Sequence, residues 1–248
     1  MKKEDFAAQH TSARPLVLFN IWDAGSARAV AAAGASAVAT GSLSVAGAQG
    51  FEDGEQIPFS ALLTTAEQIA RAADLPLSVD IEAGYAAAIH ELSANARALR
   101  EAGAIGCNLE DRLIGSGQLR DPAEQADRIA SVCEAGLFVN ARTDLFLAPL
   151  MAGEDPNRRE LVEPALERAA LYRAAGAGCL FVPGLGDPDL TRDLCAAAAM
   201  PVNVMRLSGM GSNAQLGALG VARISHGPGP WRAAMAQLEE AAREAMLG

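Results

Sequence analysis

The sequence predicts an α/β fold, a (β/α)8 TIM-type barrel forming a single domain over residues 1–248. Three observations predict it. First, one phrase recurs: an alanine-rich helix ends in Gly, and a short apolar run follows. It reads "AAAGASAVATG" at 31–41, "REAGAIGCNLED" at 100–111, "CEAGLFVNARTD" at 133–144, "RAAGAGCLFVPG" at 173–184 and "LGALGVARISHG" at 216–227. The Gly at each helix end suits a left-handed C-cap. Second, the runs are too short and too apolar to alternate, as in parallel strands buried on both faces. Third, eight strand–helix units fill the 248 residues with no low-complexity linker between them.

The units follow in order. The first is a strand at 16–21 and a helix at 25–34; the second, a strand at 37–41 and a helix at 59–73. The third pairs 77–82 with 86–102. The fourth pairs 106–110 with 122–135, where Asp121-Pro122 supplies an N-cap and a proline at the first helical position. The fifth pairs 138–142 with 164–175; the sixth pairs 179–183 with 188–198, opened by Asp187-Pro188. The seventh pairs 201–205 with 213–218, and the eighth 222–225 with 230–247. A doubly wound open sheet is the alternative. It usually carries a Gly-rich first turn, and "NIWDAGSAR" has no G-x-G-x-x-G.

Composition limits the function. The formal charge is -10, which argues against nucleic acid or anionic membrane as the main partner. A local pocket can still oppose the global sign. Half the residues are hydrophobic and only 4% are aromatic, so the core is aliphatic. The four cysteines, at 107, 133, 179 and 195, form no C-x-x-C pair; Cys107 and Cys179 fall in strand-like runs and read as core thiols. A reducing cytoplasm fits. "MKKEDFAAQH" lacks the apolar h-region of a signal peptide. The uncharged stretch from Ala29 to Phe51 is long enough to span a bilayer, but it reads as helix end, turn, strand and loop.

In such barrels the active site lies at the C-terminal strand ends. The polar residues there are Asn20 and Asp23; Gly41, Ser42 and Ser44; Asp80 and Glu82; Glu110 and Asp111; Asn140, Arg142 and Asp144; Asn203 and Arg206; and Arg223, Ser225 and His226. Strand alternation would put Asp80 and Glu82 on one face, with Glu110 beside them, so that three carboxylates converge. Like charges so close need a cation or a proton. No lysine occupies a strand end, so a hard divalent cation, Mg²⁺ or Mn²⁺, is the simplest partner; ion pairs to Arg112 and Arg142 are the plainer alternative. The planar fork of Arg142 suits a substrate carboxylate or an ion pair with Glu110. The "GSLS" turn (41–44) offers free N–H groups to an anionic oxygen. A cation, an arginine and an amide nest on one ring imply a small oxyacid, with a metal stabilising an enolate.

Seven motifs, in order, carry a resemblance: "NIWDAGSARAVAAAGASAVATGS", "GFEDGE", "VDIEAGY", "NLEDR", "NARTD", "FVPG" and "PVNVM". The chain resembles the isocitrate lyase/phosphoenolpyruvate mutase superfamily from about Phe19 to Ser225. The resemblance implies an α/β barrel that uses Mg²⁺ to stabilise a pyruvate-like enolate. By position, Asp80 would be the main direct metal carboxylate, with Glu82 and Glu110 completing the metal site by holding metal-bound waters or ligating through them, and Asp53 completing that shell. Arg142, Asp53 and Glu110 are the implied catalytic residues; Gly41, Ser42, Leu43, Arg142 and Asn203 would bind substrate. Members often swap a C-terminal helix between subunits. Here the chain ends soon after its eighth helix, so a homo-oligomer (dimer or tetramer) without a swap is expected.

The departures bear on the reaction. The lyase branch carries a Lys-Lys-Cys-Gly-His loop after strand 4, and the mutase and phosphonopyruvate hydrolase branch carries a lysine- and asparagine-bearing one. This chain reads "EDRLIGSGQLRDP" there. The mutase histidine near strand 6 gives way to "FVPG". The leading expectation is a Mg²⁺-dependent C–C lyase on a small 2-keto or 2-hydroxy (di)acid, its proton donor being water, Tyr85 or Ser44. P–C bond chemistry is the alternative, ranked lower for want of groups to hold a phosphoryl. A catalytically silent keto-acid-binding barrel is the third reading. The 112–120 loop is expected to close over the substrate.

Overall fold

In a computed structural model describing residues 2–247, eight parallel strands form one sheet in the order β1-β8-β7-β6-β5-β4-β3-β2. The strands are β1 Leu16–Leu18, β2 Val38–Ala39, β3 Leu77–Asp80, β4 Gly106–Glu110, β5 Phe138–Arg142, β6 Cys179–Val182, β7 Val202–Met205 and β8 Arg223–Ser225. The helices are α1 Lys3–Ala7, α2 Ala24–Ala32, α3 Ser42–Ala48, α4 Phe59–Ala73, α5 Ile89–Glu101, α6 Pro122–Glu134, α7 Leu147–Met151, α8 Val162–Ala174, α9 Pro188–Ala197, α10 Asn213–Ala218 and α11 Gly229–Leu247. A 3₁₀ turn, Arg159–Leu161, precedes α8. The sheet closes through a parallel bridge between Ile21 and Thr40, with Asn20 Nδ2 donating to the Thr40 carbonyl at 2.8 Å. This is the predicted barrel, and β4, β5, α4 and α10 have the predicted bounds.

Alternation along the strands sorts the side chains. Val79, Cys107, Leu109, Val139, Ala141, Leu180, Val182, Val204 and Ile224 face the helices and form the main core. Leu16, Leu18, Ala39, Phe138 and Cys179 form a separate apolar cluster inside the barrel, completed by Phe6 from α1. Most other inward positions are polar, namely Asp80, Asn108, Glu110, Asn140, Arg142, Asn203, Arg223 and Ser225, with Phe181 and Met205 the apolar residues among them that line the cavity end. All four cysteines are free, and Cys107 and Cys179 are buried as expected.

Three short helices, α1, α3 and α7, were not expected from the sequence. The uncharged 29–51 stretch holds α3 where a loop was expected. Its Gly and Ser content is a weak helix signal, but packing overrides it: Ser44, Val45 and Ala46 are buried, and the missing Cβ of Gly47 lets the Trp231 ring approach. α7, in the segment after β5, lies where no helix was expected. Among the described residues no helix is long and apolar enough to cross a membrane.

α1 covers the far end of the barrel. His10, just beyond it, is buried and stacks on Phe138 at 4.5 Å, edge-on to Phe6. Its Nδ1 bonds the Phe6 carbonyl at 3.0 Å. Burial, then the Arg223 charge, push the imidazole from its ordinary 6.5 down to about 3. The folded state therefore binds fewer protons than the unfolded chain below 6.5, and this contribution to stability is lost as pH falls from 6.5 toward 3. Between pH 6.5 and 5 the loss should approach about 2 kcal/mol. Urea titrations of His10→Phe should lack that slope, and an unchanged slope would refute the assignment.

Candidate active site

A cavity of about 620 Å³ opens at the C-terminal strand ends. One wall is acidic, with Asp53, Asp80, Glu82 and Glu110. Another is built by the first turn of α3, where Gly41, Ser42 and Leu43 line the space. The Ser42 and Leu43 amides are first-turn N–H groups without intrahelical acceptors, so the expected donors are in place, supplied by a helix rather than a plain turn. Asn20 fixes the rim: its Oδ1 accepts from the His226 and Gly227 amides at 2.8 and 2.9 Å.

The three acids do not converge as expected. Among the described residues no three His, Cys, Asp or Glu side chains form a ready-made metal cluster. Glu110 is drawn onto Arg142 Nη1 at 2.8 Å. Glu82 lies beyond the end of β3 in the left-handed region, at φ 49, so strand alternation does not place it. Its carboxylate accepts from the Gly54 and Glu55 amides at 2.8 and 2.9 Å and from the Tyr85 hydroxyl at 3.2 Å. It thus pins the loop that carries Asp53 to the cavity. Asp80 accepts from the Glu82 amide at 3.1 Å and from Asn108 Nδ2 at 3.2 Å.

The electrostatics bear on a cation. Burial, then the Asp53 charge, raise Glu82 to about 7. Burial also raises Asp80, and Glu110 well above its usual range, with Arg142 opposing both. The wall thus carries more carboxylates than its own cations balance. An all-oxygen donor set without a lysine fits a hard divalent ion.

Arg142 is already engaged. Its Nε and Nη2 grip Asp144 at 2.6 and 3.0 Å, Nη1 holds Glu110, and Asp80 lies 4.0 Å away. Burial works against its charge, but Glu110 and Asp144 hold it more firmly protonated than usual. The ion pair with Glu110 therefore exists, and the fork is shared with Asp144. Asp144 is itself anchored through Asp111, which accepts its amide at 3.0 Å, the Tyr172 hydroxyl at 3.0 Å and Arg168 at 3.2 Å. Asp111 is a scaffold residue at 0% exposure.

Two expected roles shift. Asn203 is fully buried, lies outside the cavity lining and donates to Ser225 Oγ at 3.0 Å; Ser225 is the residue that reaches the cavity. Tyr85 is also outside the lining, its hydroxyl turned to Glu82, whereas Ser44 does line it. Two further arginines line the cavity: Arg232, at the start of α11, which was not expected there, and Arg112, expected only as a salt-bridge partner. Arg112 directly follows the polar strand end Glu110-Asp111, a usable signal; Arg232 had none. The 112–120 loop folds back as a hairpin, with Arg112 bridged to Leu119, and Leu113 and Ile114 face the cavity with Leu150 and Met151. Among the described residues the lining has no Cys, His, Lys or Tyr.

A barrel with acids, amides and arginines at this end defines a class of enzyme. The phosphoenolpyruvate phosphomutase family profile matches residues 6–246. The chain belongs to the isocitrate lyase/phosphoenolpyruvate mutase superfamily, with its branch between lyase and mutase relatives open. It is similar to the crystal structure of a provisionally assigned phosphonomutase from Burkholderia cenocepacia J2315: 47% identity, 98% of this chain and 99% of that one, TM-score 0.92. An uncharacterised protein of Mycobacterium tuberculosis is 34% identical over 94% of this chain and 86% of its own length. An oxaloacetate decarboxylase of Rhodopseudomonas palustris (strain HaA2) is 30% identical over 58% of this chain and 52% of its own.

Proposed function

We propose that the protein is a Mg²⁺-dependent enzyme acting on a 2-oxo acid that bears a phosphono group on the adjacent carbon, making or breaking the P–C bond. The observation that carries this reading is the pair Arg112 and Arg232 in a cavity that already holds Arg142. A dianionic phosphoryl needs such donors, and their apparent lack had ranked this chemistry second. The similarity to the provisionally assigned phosphonomutase at 47% identity points the same way. The C–C lyase expectation becomes the second reading, supported by the oxaloacetate decarboxylase relative and by a lining without Cys, His or Lys, since decarboxylation needs no phosphoryl acceptor.

Asp80 would hold the metal directly, with Glu82, Glu110 and Asp53 acting through its water shell; Mn²⁺ could substitute. When bound, the ion supplies positive charge to the enolate oxygen that develops as the bond breaks. The chain's own residues do the rest. The Ser42 and Leu43 amides orient the oxyacid end. Arg112 and Arg232 hold the phosphono oxygens and position phosphorus. Leu113, Ile114, Leu150 and Met151 form an apolar rim, its last three members exposed, that would shield a bound substrate from water. Where water takes the phosphoryl, Ser44 Oγ, buried and without a hydrogen-bond partner among the described residues, would give a proton to the enolate carbon and regain one from solvent; where the enolate oxygen takes it, no proton is needed. The proposed working form is a homo-oligomer, supported by α11, where Pro230 is the one buried residue among those described and Leu238 and Met246 are exposed.

The test is ³¹P NMR with Mg²⁺ and phosphonopyruvate, beside a pyruvate assay on oxaloacetate. Phosphate or phosphoenolpyruvate should appear. Pyruvate from oxaloacetate with no change in the phosphonate would reverse the order. Arg112→Ala and Arg232→Ala should each raise the KM for the phosphonate roughly 10- to 100-fold, as for loss of a charge-assisted hydrogen bond worth roughly 1.5–3 kcal/mol. Oxalate, which lacks the phosphono group, should bind these variants as it binds wild type.

A further inference from the structure

Arg223 carries a positive charge into the barrel interior, one inward layer below Ser225 on β8. Its side chain is fully buried at 0% exposure. Nη2 donates to Asn108 Oδ1 at 3.2 Å, while Nε and Nη1 have no hydrogen-bond partner among the described residues. A buried guanidinium with one neutral acceptor is a costly arrangement. Burial pulls it down to about 10, and Asp80 is among the groups whose field sustains its charge.

The contacts continue to the acidic wall. Asn140 Nδ2 also donates to Asn108 Oδ1, at 2.8 Å, and Asn108 Nδ2 donates to Asp80 Oδ2 at 3.2 Å. Each amide in this chain can be turned over, since its oxygen and nitrogen are similar in size and opposite in role. An ionised Asp80 has acceptors only and draws Asn108 Nδ2 toward itself, while a guanidinium has donors only and draws Asn108 Oδ1 the opposite way. The Asn108 amide is thus stretched between two charges of opposite sign. Without Arg223 its Oδ1 end keeps a single neutral donor, Asn140 Nδ2.

We propose that Arg223 is a positioning residue that clamps Asn108 Oδ1 and so, through Asn108 Nδ2, holds the Asp80 carboxylate in its metal-receiving orientation. The consequence for metal binding rests on the Mg²⁺ reading above; the clamp itself does not.

Two measurements test it, on Arg223→Met and Arg223→Lys in the full chain. Calorimetry with Mg²⁺ and oxalate should show affinity about tenfold or more weaker in the Met variant, the usual effect of losing a group that orients a metal ligand. Lysine, also donor-only, should restore most of it. The urea midpoint of the Met variant should be unchanged or higher, because a buried unpaired cation has been removed. A purely structural role predicts the opposite pattern: lower stability with affinity intact. ¹⁵N–¹H spectra supply a metal-independent readout, in which the Asn108 NH₂ peaks should move in the Met variant and return in the Lys variant. Unmoved peaks, or wild-type affinity in the Met variant, overturn the proposal. If the Met variant does not fold, Arg223→Leu, also without a donor, replaces it with the same expectations. Wild type failing to bind Mg²⁺ and oxalate, with the peaks moving as expected, would sink the metal reading and leave the clamp standing.

Discussion

Arg142→Met should lose about 3–5 kcal/mol of stability, the usual effect of removing one partner of a buried ion pair. Arg142 is the shared counter-ion of Glu110 and Asp144, at 2.8 and 2.6 Å. Methionine would fill the space and leave both acids in a low-dielectric interior. Glu110, already raised well above its range by burial, would lose the guanidinium that opposes this rise. Urea denaturation at neutral pH measures the loss. Adding Asp144→Asn should recover part of it, because the two sites share one interaction. A change below about 1 kcal/mol, the scale of an exposed pair, would show that the network has no such role.

Asp80→Ala should abolish Mg²⁺-dependent oxalate binding, a loss beyond the roughly 10–100-fold caused by disturbing groups that only orient a ligand. Asp80 is 7% exposed and faces the cavity among the other acids. Burial already raises its pKa, so the ionised carboxylate is a cost to the empty protein. Stability should therefore change little, within about 1 kcal/mol, while binding disappears. Calorimetry and denaturation on one preparation separate the two effects. Unchanged oxalate affinity in a folded variant would refute the metal assignment.

Much of this was legible in the sequence, and particular residues show why. The phrase "REAGAIGCNLED" carries a helix end, a left-handed Gly and a buried strand within twelve residues, and β4 lies where it predicts. Asp80, Glu110 and Arg142 were found because a strand's inward face follows from its register alone. Glu82 was found for a partly wrong reason: it sits in the left-handed region beyond β3 and is held by the amides of a loop 27 to 28 residues earlier. Asn203 was placed one layer too high, since periodicity gives the face of a strand but not the depth. α3 was read as a loop because its Gly and Ser content hid a helix that packing against Trp231 stabilises.

The sequence by itself determined the barrel, the order of its units and the identity of the acids at its mouth. These depend on local signals: caps, strand length and apolar runs, each contained in a few consecutive residues. Only the tertiary structure decided how the charges are shared. Arg142 divides its fork between Glu110 and Asp144, and Arg232 enters the cavity from α11. Arg223 reaches Asn108 across 115 residues of chain. Such pairings depend on distances of a few ångströms between segments far apart in sequence, and Coulomb and hydrogen-bond energies fall too steeply with distance for residue order alone to fix them.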